Sequence, residues 1–277
     1  MFSYSSYGVL ASLGATISFR IDTIMTASLM GFASTGVYSI ADNIAGVIAT
    51  PFKSINEISA PFFAQHMNDK DYEKVDKLYK SSAINLLIIG LGLLIVIYVS
   101  IDSIFSLSAQ YETLIQGQKV VLLLGLAKVV DMSTGLNSYI ISYSHLYRWG
   151  LVWTVILCIL NVGFNLVFIP EYGITGAALA TLLSMIISNI IRFIFVWVKF
   201  KMQPFTWASA WVVIIGGLAY LLGSIIPDTG FHLVNVMLKS GTTLLVFGGL
   251  VLYFNFSPEI TNFVSLILTR ARKFTGV

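Results

Sequence analysis

Eight stretches of this 277-residue chain are apolar and long enough to cross a bilayer, and several carry a full charge near their middles. About 20 apolar residues, rising 1.5 Å each, span the hydrocarbon core. The runs cover residues 7–30, 37–63, 82–107, 119–143, 150–169, 175–198, 205–226 and 235–256, and are called A to H below. A soluble core does not need eight such runs. A simple anchor does not carry Arg20, Lys53, Lys128 and Asp131 inside them. An ionised group at mid-membrane costs about 3 kcal/mol or more, so it marks a pathway or a site.

Composition agrees. Hydrophobic residues make up 57% of the chain and charged residues 10%, against roughly a quarter charged in soluble domains. Apolar alternation never holds long enough for a transmembrane barrel. No basic face is joined to a soluble fold, which argues against nucleic acid. There is no P-loop, and no His/Cys/acid cluster has metal-ligand spacing, so no cofactor or metal is expected. Cys158 is alone in the chain and lies in an apolar run, so no intrachain disulfide is expected. Met1 leads almost at once into run A, which has no basic n-region, and no cleaved signal peptide is expected.

The loops give direction. Lys70, Lys74, Lys77 and Lys80 lie between runs B and C, Arg148 between D and E, Lys199 and Lys201 between F and G, and Arg270, Arg272 and Lys273 after H. The alternate loops carry no Lys or Arg. By the positive-inside rule both termini are expected in the cytoplasm. Two segments read as helices lying along the membrane. One is 68–80, where Tyr72, Val75, Leu78 and Tyr79 share a face. The other opens with Ser257, Pro258 and Glu259, a cap, a proline and an acid. It continues with Ile260, Phe263, Val264 and Ile267 at helical spacing, ahead of the final basic cluster.

The interior charges are the candidate site. Arg20 and Lys128 both fall about 15 Å below the outer ends of their runs, near the bilayer centre, and Lys53 lies deeper. Cations on three helices can line one water-filled cavity and bind an anionic substrate. Lys53 and Glu57 are four apart and Lys128 and Asp131 three apart, so each pair can also simply neutralise itself. Asp22, Asp42, Glu57 and Asp131 either take a coupling proton or sodium ion or balance the cations. Pro51 and Pro61 both fall in run B and predict a kink.

Runs E and F carry distinctive text. Asn161-Val162-Gly163-Phe164-Asn165 is followed by Ile169-Pro170-Glu171-Tyr172-Gly173, then Gly176-Ala177-Ala178-Leu179-Ala180-Thr181. Pro170 is expected to stop helix E and Gly173 to make the turn. Gly176, Ala177 and Ala180 form a small-residue face, and Asn161 and Asn165 share a face; the pattern reads as a packing device.

This text resembles the polysaccharide/O-antigen flippases of the multidrug/oligosaccharidyl-lipid/polysaccharide exporter (MOP) superfamily. Arg20-Ile21-Asp22, followed by Gly36-Val37-Tyr38-Ser39-Ile40-Ala41, is similar to the start of that family's second lobe. The resemblance covers roughly residues 5–200. It implies an all-α, polytopic transmembrane bundle, one lobe of a two-lobe alternating-access transporter. The expected divisions are residues 1–200 for the six-helix C-terminal lobe, 201–256 for two additional helices, and 257–277 for a cytoplasmic amphipathic tail. It further implies a bacterial inner-membrane protein, not an enzyme, moving a lipid-linked, pyrophosphate-bearing oligosaccharide for cell-surface polysaccharide synthesis. Arg20, Lys53 and Lys128 are the matching cations. The chain departs from the family in having about eight helices, so the expected partners include membrane lipids and a missing N-terminal lobe. A drug/cation antiporter of the same superfamily and a membrane-embedded glycosyltransferase or polymerase are the rival readings. The first wants an acidic, aromatic cavity, and the second a large extramembrane loop.

Overall fold

The computed structural model describes residues 21–275, which are helical with no strand among them. Helix occurs in all eight apolar runs, run A being described from Ile21. Five helices are by themselves long and apolar enough to cross a membrane: Tyr72–Val99, Tyr111–Ser133, Trp149–Phe200, Trp207–Ser224 and His232–Tyr253. In chain order the elements are α1 (Ile21–Met30), α2 (Phe32–Gly46), α3 (Thr50–Asn68), α4 (Tyr72–Val99), α5 (Ile101–Ser106), α6 (Tyr111–Leu114), α7 (Gln118–Ser133), α8 (Asn137–Ser142), α9 (Trp149–Phe200), α10 (Trp207–Ser224), α11 (His232–Tyr253) and α12 (Pro258–Thr275).

Helix α7 is the hub. It packs on α2, α4 and α9, while α10 and α11 pack on each other and on α4. The larger apolar cluster joins Phe63, Tyr79, Leu86, Met132, Ile140 and Val212 across these helices.

Runs B, C and D are each divided, run C at Ser100 between α4 and α5, and runs E and F are joined. Run B divides at a 3₁₀ turn, Val47–Ala49, after which α3 starts with Pro51 in its first turn. A proline there has no N–H to lose and its φ suits a helix start, so Pro51 begins a helix and does not merely bend one. Run D ends as helix at Ser133, and its continuation resumes as the separate α8. Runs E and F form one 52-residue element, α9, about 78 Å long if it were straight. Its only non-helical residue is Gly173, at φ 60° and ψ −138°. Helix E therefore does not stop at Pro170; it runs on to Tyr172, and the reversal is made by the one residue that reaches positive φ without steric cost. Buried Asn161, Asn165 and Ile169 on the first half then face buried Gly176, Ala177, Ala180 and Thr181 on the second.

The 68–80 segment is not a separate surface helix. Asp71 caps α4, its Oδ1 accepting the Lys74 N–H at 3.2 Å, and helix continues unbroken from Tyr72 to Val99. Val75 and Tyr79 are fully buried because this turn packs on the bundle. Its apolar face, read as lying on lipid, meets protein instead.

The tail helix α12 starts where its cap signal placed it. Ser257 accepts the Ile260 N–H at 3.1 Å and also meets Asn85 of α4. The Glu259 carboxylate accepts the Ser81 hydroxyl at 2.7 Å. Burial pushes the Glu259 carboxyl up, but the bonds from Ser81, its own backbone, Ser257 and Asn85 outweigh that and hold it below its usual range. A depressed carboxylate stabilises the folded form above its unfolded pKa, and that contribution is lost as pH falls through the folded one. Amide exchange in the first turns of α12, corrected for intrinsic rate, is expected to stay flat from neutral pH to about 5 and to rise below about pH 4. Glu259→Gln is expected to remove that acid limb.

Candidate functional site

A cavity of about 660 Å³ opens between α1, α2, α3, α7 and the second half of α9. The 3₁₀ turn of run B lies at it, so that Gly46, Val47, Ala49 and Thr50 line it.

Five of the expected site residues reach this space: Asp22, Asp42, Lys53, Lys128 and Asp131. Glu57 does not line it and is exposed elsewhere on α3, with no ion pair to Lys53. The alternative i,i+4 pairing of Lys53 with Glu57 is therefore not made. Arg20 lies outside the described residues. Among the described residues the lining carries three carboxylates and two ammonium groups, a mixed field and not a purely cationic one.

Two of those carboxylates are tied into the protein. Asp22 is 5% exposed and is met from three helical segments. The Thr181 hydroxyl donates to Oδ2 at 2.6 Å, the Asn165 amide to Oδ1 at 2.8 Å, and the Tyr38 hydroxyl to Oδ2 at 3.3 Å. The Asn165 amide also donates to Asn161 Oδ1 at 2.7 Å, which leaves its own Oδ1 buried without a partner among the described residues. Charge-assisted bonds of this kind are what make a buried carboxylate tolerable. Asp131 is held more loosely, accepting from the Asn189 amide at 3.2 Å, while Thr134 donates to the Asn189 Oδ1 at 2.9 Å.

Asn161, Asn165, Thr181, Asn189 and Tyr38 are the residues that the sequence reading did not place at the site. The small-residue face of α9 does pack closely, as expected. The polar residues interleaved with it do more: they hold Asp22 and Asp131. Polar side chains inside an apolar run are the available signal.

The described residues contain no group of three or more His, Cys, Asp or Glu placed to hold a metal ion. What the Asp22 cluster offers is hard oxygen: two carboxylate oxygens and the Asn161 carbonyl, joined by the Asn165 carbonyl if that side chain turns over.

Comparison with known proteins follows from this geometry. Residues 9–167, more than half of the chain, match the MatE family. The chain belongs to the MatE family. Members are membrane transporters of the MOP superfamily, so this is a multi-pass transport protein fold. The probable low-salt glycan biosynthesis flippase Agl15 of Haloferax volcanii is 21% identical over 226 residues, covering 79% of this chain and 47% of the relative. A solved MOP-superfamily transporter from Pyrococcus furiosus Vc1 superposes with a TM-score of 0.53 at 19% identity, over 90% of this chain and 53% of the other. It was described as having a binding pocket whose reverse polarity suggests a different function. At that identity the likeness shows the fold. The chain spans about half the length of each of these two proteins.

Proposed function

We propose that this chain is one lobe of an alternating-access flippase for a lipid-linked, pyrophosphate-bearing oligosaccharide. Residues 1–200 form the lobe, 201–256 two further spans and 257–277 a cytoplasmic tail, with both termini inside the plasma membrane. Lys53 and Lys128, with Arg20, receive the anionic headgroup. Asp22 receives the coupling proton or sodium ion. The missing half of the cavity wall comes from a second lobe.

The observation that carries this reading is the division of charge around the cavity. Asp22 accepts from Thr181, Asn165 and Tyr38, so neutral protein donors offset part of its field, while Asp131 accepts a single longer bond from Asn189. Lys53 and Lys128 stand on the same cavity beside Asp42, Asn43 and Asn56. Ammonium groups suit phosphate oxygens, and carboxylate and amide groups suit sugar hydroxyls. The likeness to a glycan flippase points the same way.

At Asp22, turning the Asn165 amide over aims its orphaned Oδ1 at the carboxylate and Asn161. A bound cation would reward that turn. A bound proton would let Asp22 itself donate. Either event loosens a contact that ties α1 to both halves of α9.

The test is binding by the chain in nanodiscs, with polyprenyl pyrophosphate and tetraphenylphosphonium as competing probes. Lys53→Gln and Lys128→Gln are each expected to weaken pyrophosphate binding by about tenfold, the loss of one charge-assisted bond. Arg at either position is expected to retain most of it. Tight binding of the organic cation with none of the pyrophosphate would replace this reading by the antiporter, for which Asp42, Tyr38 and Phe52 are the favourable lining.

A further inference from the structure

Helix α12 is built differently from the spans. It is strongly amphipathic, and it begins a few residues after α11 ends at Tyr253. Its first turn is fastened to α4 by polar bonds: Ser257 to Asn85 and Glu259 to Ser81. Ile260 packs on the apolar core. Beyond that turn the apolar face is largely uncovered by the described residues: Phe263 is 65% exposed and Ile267 51%. The opposite arc carries Thr261, Asn262, Ser265 and Thr269. Arg270, Arg272 and Lys273 follow in the sequence, against Glu259 as the helix's only acid.

We infer that α12 is an interfacial helix whose Phe263–Ile267 face seats in an anionic phospholipid leaflet, with the Ser257 and Glu259 bonds fixing its height on α4. Three arguments select lipid over a protein partner. The exposed arc holds large aliphatic and aromatic groups with a basic cluster at one end, the pattern that partitions into a charged headgroup layer. The clasp joins α12 to Ser81 and Asn85, at the start of the apolar run 82–107 within α4, so the helix starts beside a bilayer surface. The α4 turn next to it offers no net charge to a protein acid, because Lys70, Lys74, Lys77 and Lys80 are matched by Asp69, Asp71, Glu73 and Asp76. Of these two neighbouring segments only α12 carries unmatched positive charge, and polybasic segments of this kind are drawn to anionic headgroups within a Debye length.

This inference does not depend on what the cavity binds. It is tested on the full chain with Cys158 replaced by Ser, carrying one bimane-labelled cysteine at Phe263, Ile267 or Ser265. The protein is reconstituted in nanodiscs of phosphatidylcholine, with or without phosphatidylglycerol. Nitroxide-labelled lipid is expected to quench at 263 and 267 severalfold more than at 265, and more strongly with the anionic lipid. Replacing Arg270, Arg272 and Lys273 by Gln together is expected to remove the dependence on phosphatidylglycerol. Equal quenching at all three positions overturns the inference. So does protection at 263 and 267 that disappears when the nanodiscs are loaded at one chain per disc, which assigns the face to a second copy.

Discussion

Asp22→Asn is expected to leave the chain folded and to abolish its response to the coupling ion. Asparagine keeps the shape of the carboxylate, and its carbonyl still accepts from Thr181 and Tyr38. Its amide meets the Asn165 amide as donor against donor, until Asn165 turns over and presents the Oδ1 that now has no partner among the described residues. The stability cost is therefore about 1–2 kcal/mol, the loss of charge assistance in bonds that are otherwise kept. The ion loses its only anionic ligand in the cluster, which is worth roughly 100-fold in affinity. The measurement is the melting temperature of purified chain against sodium concentration and against pH. The parent is expected to shift with one of the two, and Asp22→Asn with neither. A parent protein indifferent to both would mean that Asp22 is a structural tie and not an ion site. Thr181→Val separates these further. It removes the shortest donor to Asp22 and leaves the charge, so it destabilises without flattening the ion dependence.

How much of this was legible before folding depends on distance along the chain. The eight apolar runs were visible because a bilayer demands length and composition, which are local properties. The cap of α12 was visible because a cap is read within four residues. The Asp22 cluster was not, because two of its three donors lie 143 and 159 residues away. No spacing rule relates Asp22 to Asn165 and Thr181. Only the reversal at Gly173 brings the last two together. Glu57 was grouped with Lys53 on helical spacing alone. Spacing says that two side chains can meet, not that they do, and here Lys53 faces the cavity without it. The 68–80 segment shows a related limit. An amphipathic stripe predicts a buried face but not what buries it, and Val75 and Tyr79 found the bundle in place of the lipid surface. The divisions of runs C and D were hidden for a simpler reason. Apolar composition records where the chain is dry, and it is blind to whether the helix inside is continuous.

The same reversal supplies the change with the largest expected cost in stability. Gly176→Ala adds a single methyl group where the two halves of α9 touch. An added Cβ would press on the Phe168 carbonyl oxygen well inside contact distance and lie 3.0 Å from the Ile169 nitrogen. Both obstacles are backbone atoms of a helix, so neither can swing aside as a side-chain end would. The halves must separate, and with them Asn165 and Thr181 must part around Asp22. Overpacking against backbone together with the loosened buried bonds gives an expected loss of about 3 kcal/mol or more. Gly163→Ala is the control. It lies in the same element, and an added Cβ there meets nothing within 4 Å. Helix propensity alone is then expected to make it neutral or stabilising by up to about 1 kcal/mol. Thermal unfolding of the two variants in detergent should therefore move in opposite directions from the parent. In Gly176→Ala that survives reconstitution, the ion-dependent shift should be lost as well, because the donors no longer converge. If Gly176→Ala instead melts with the parent and keeps the ion response, the two halves of α9 do not depend on this close contact, and the hairpin is not what assembles the Asp22 cluster.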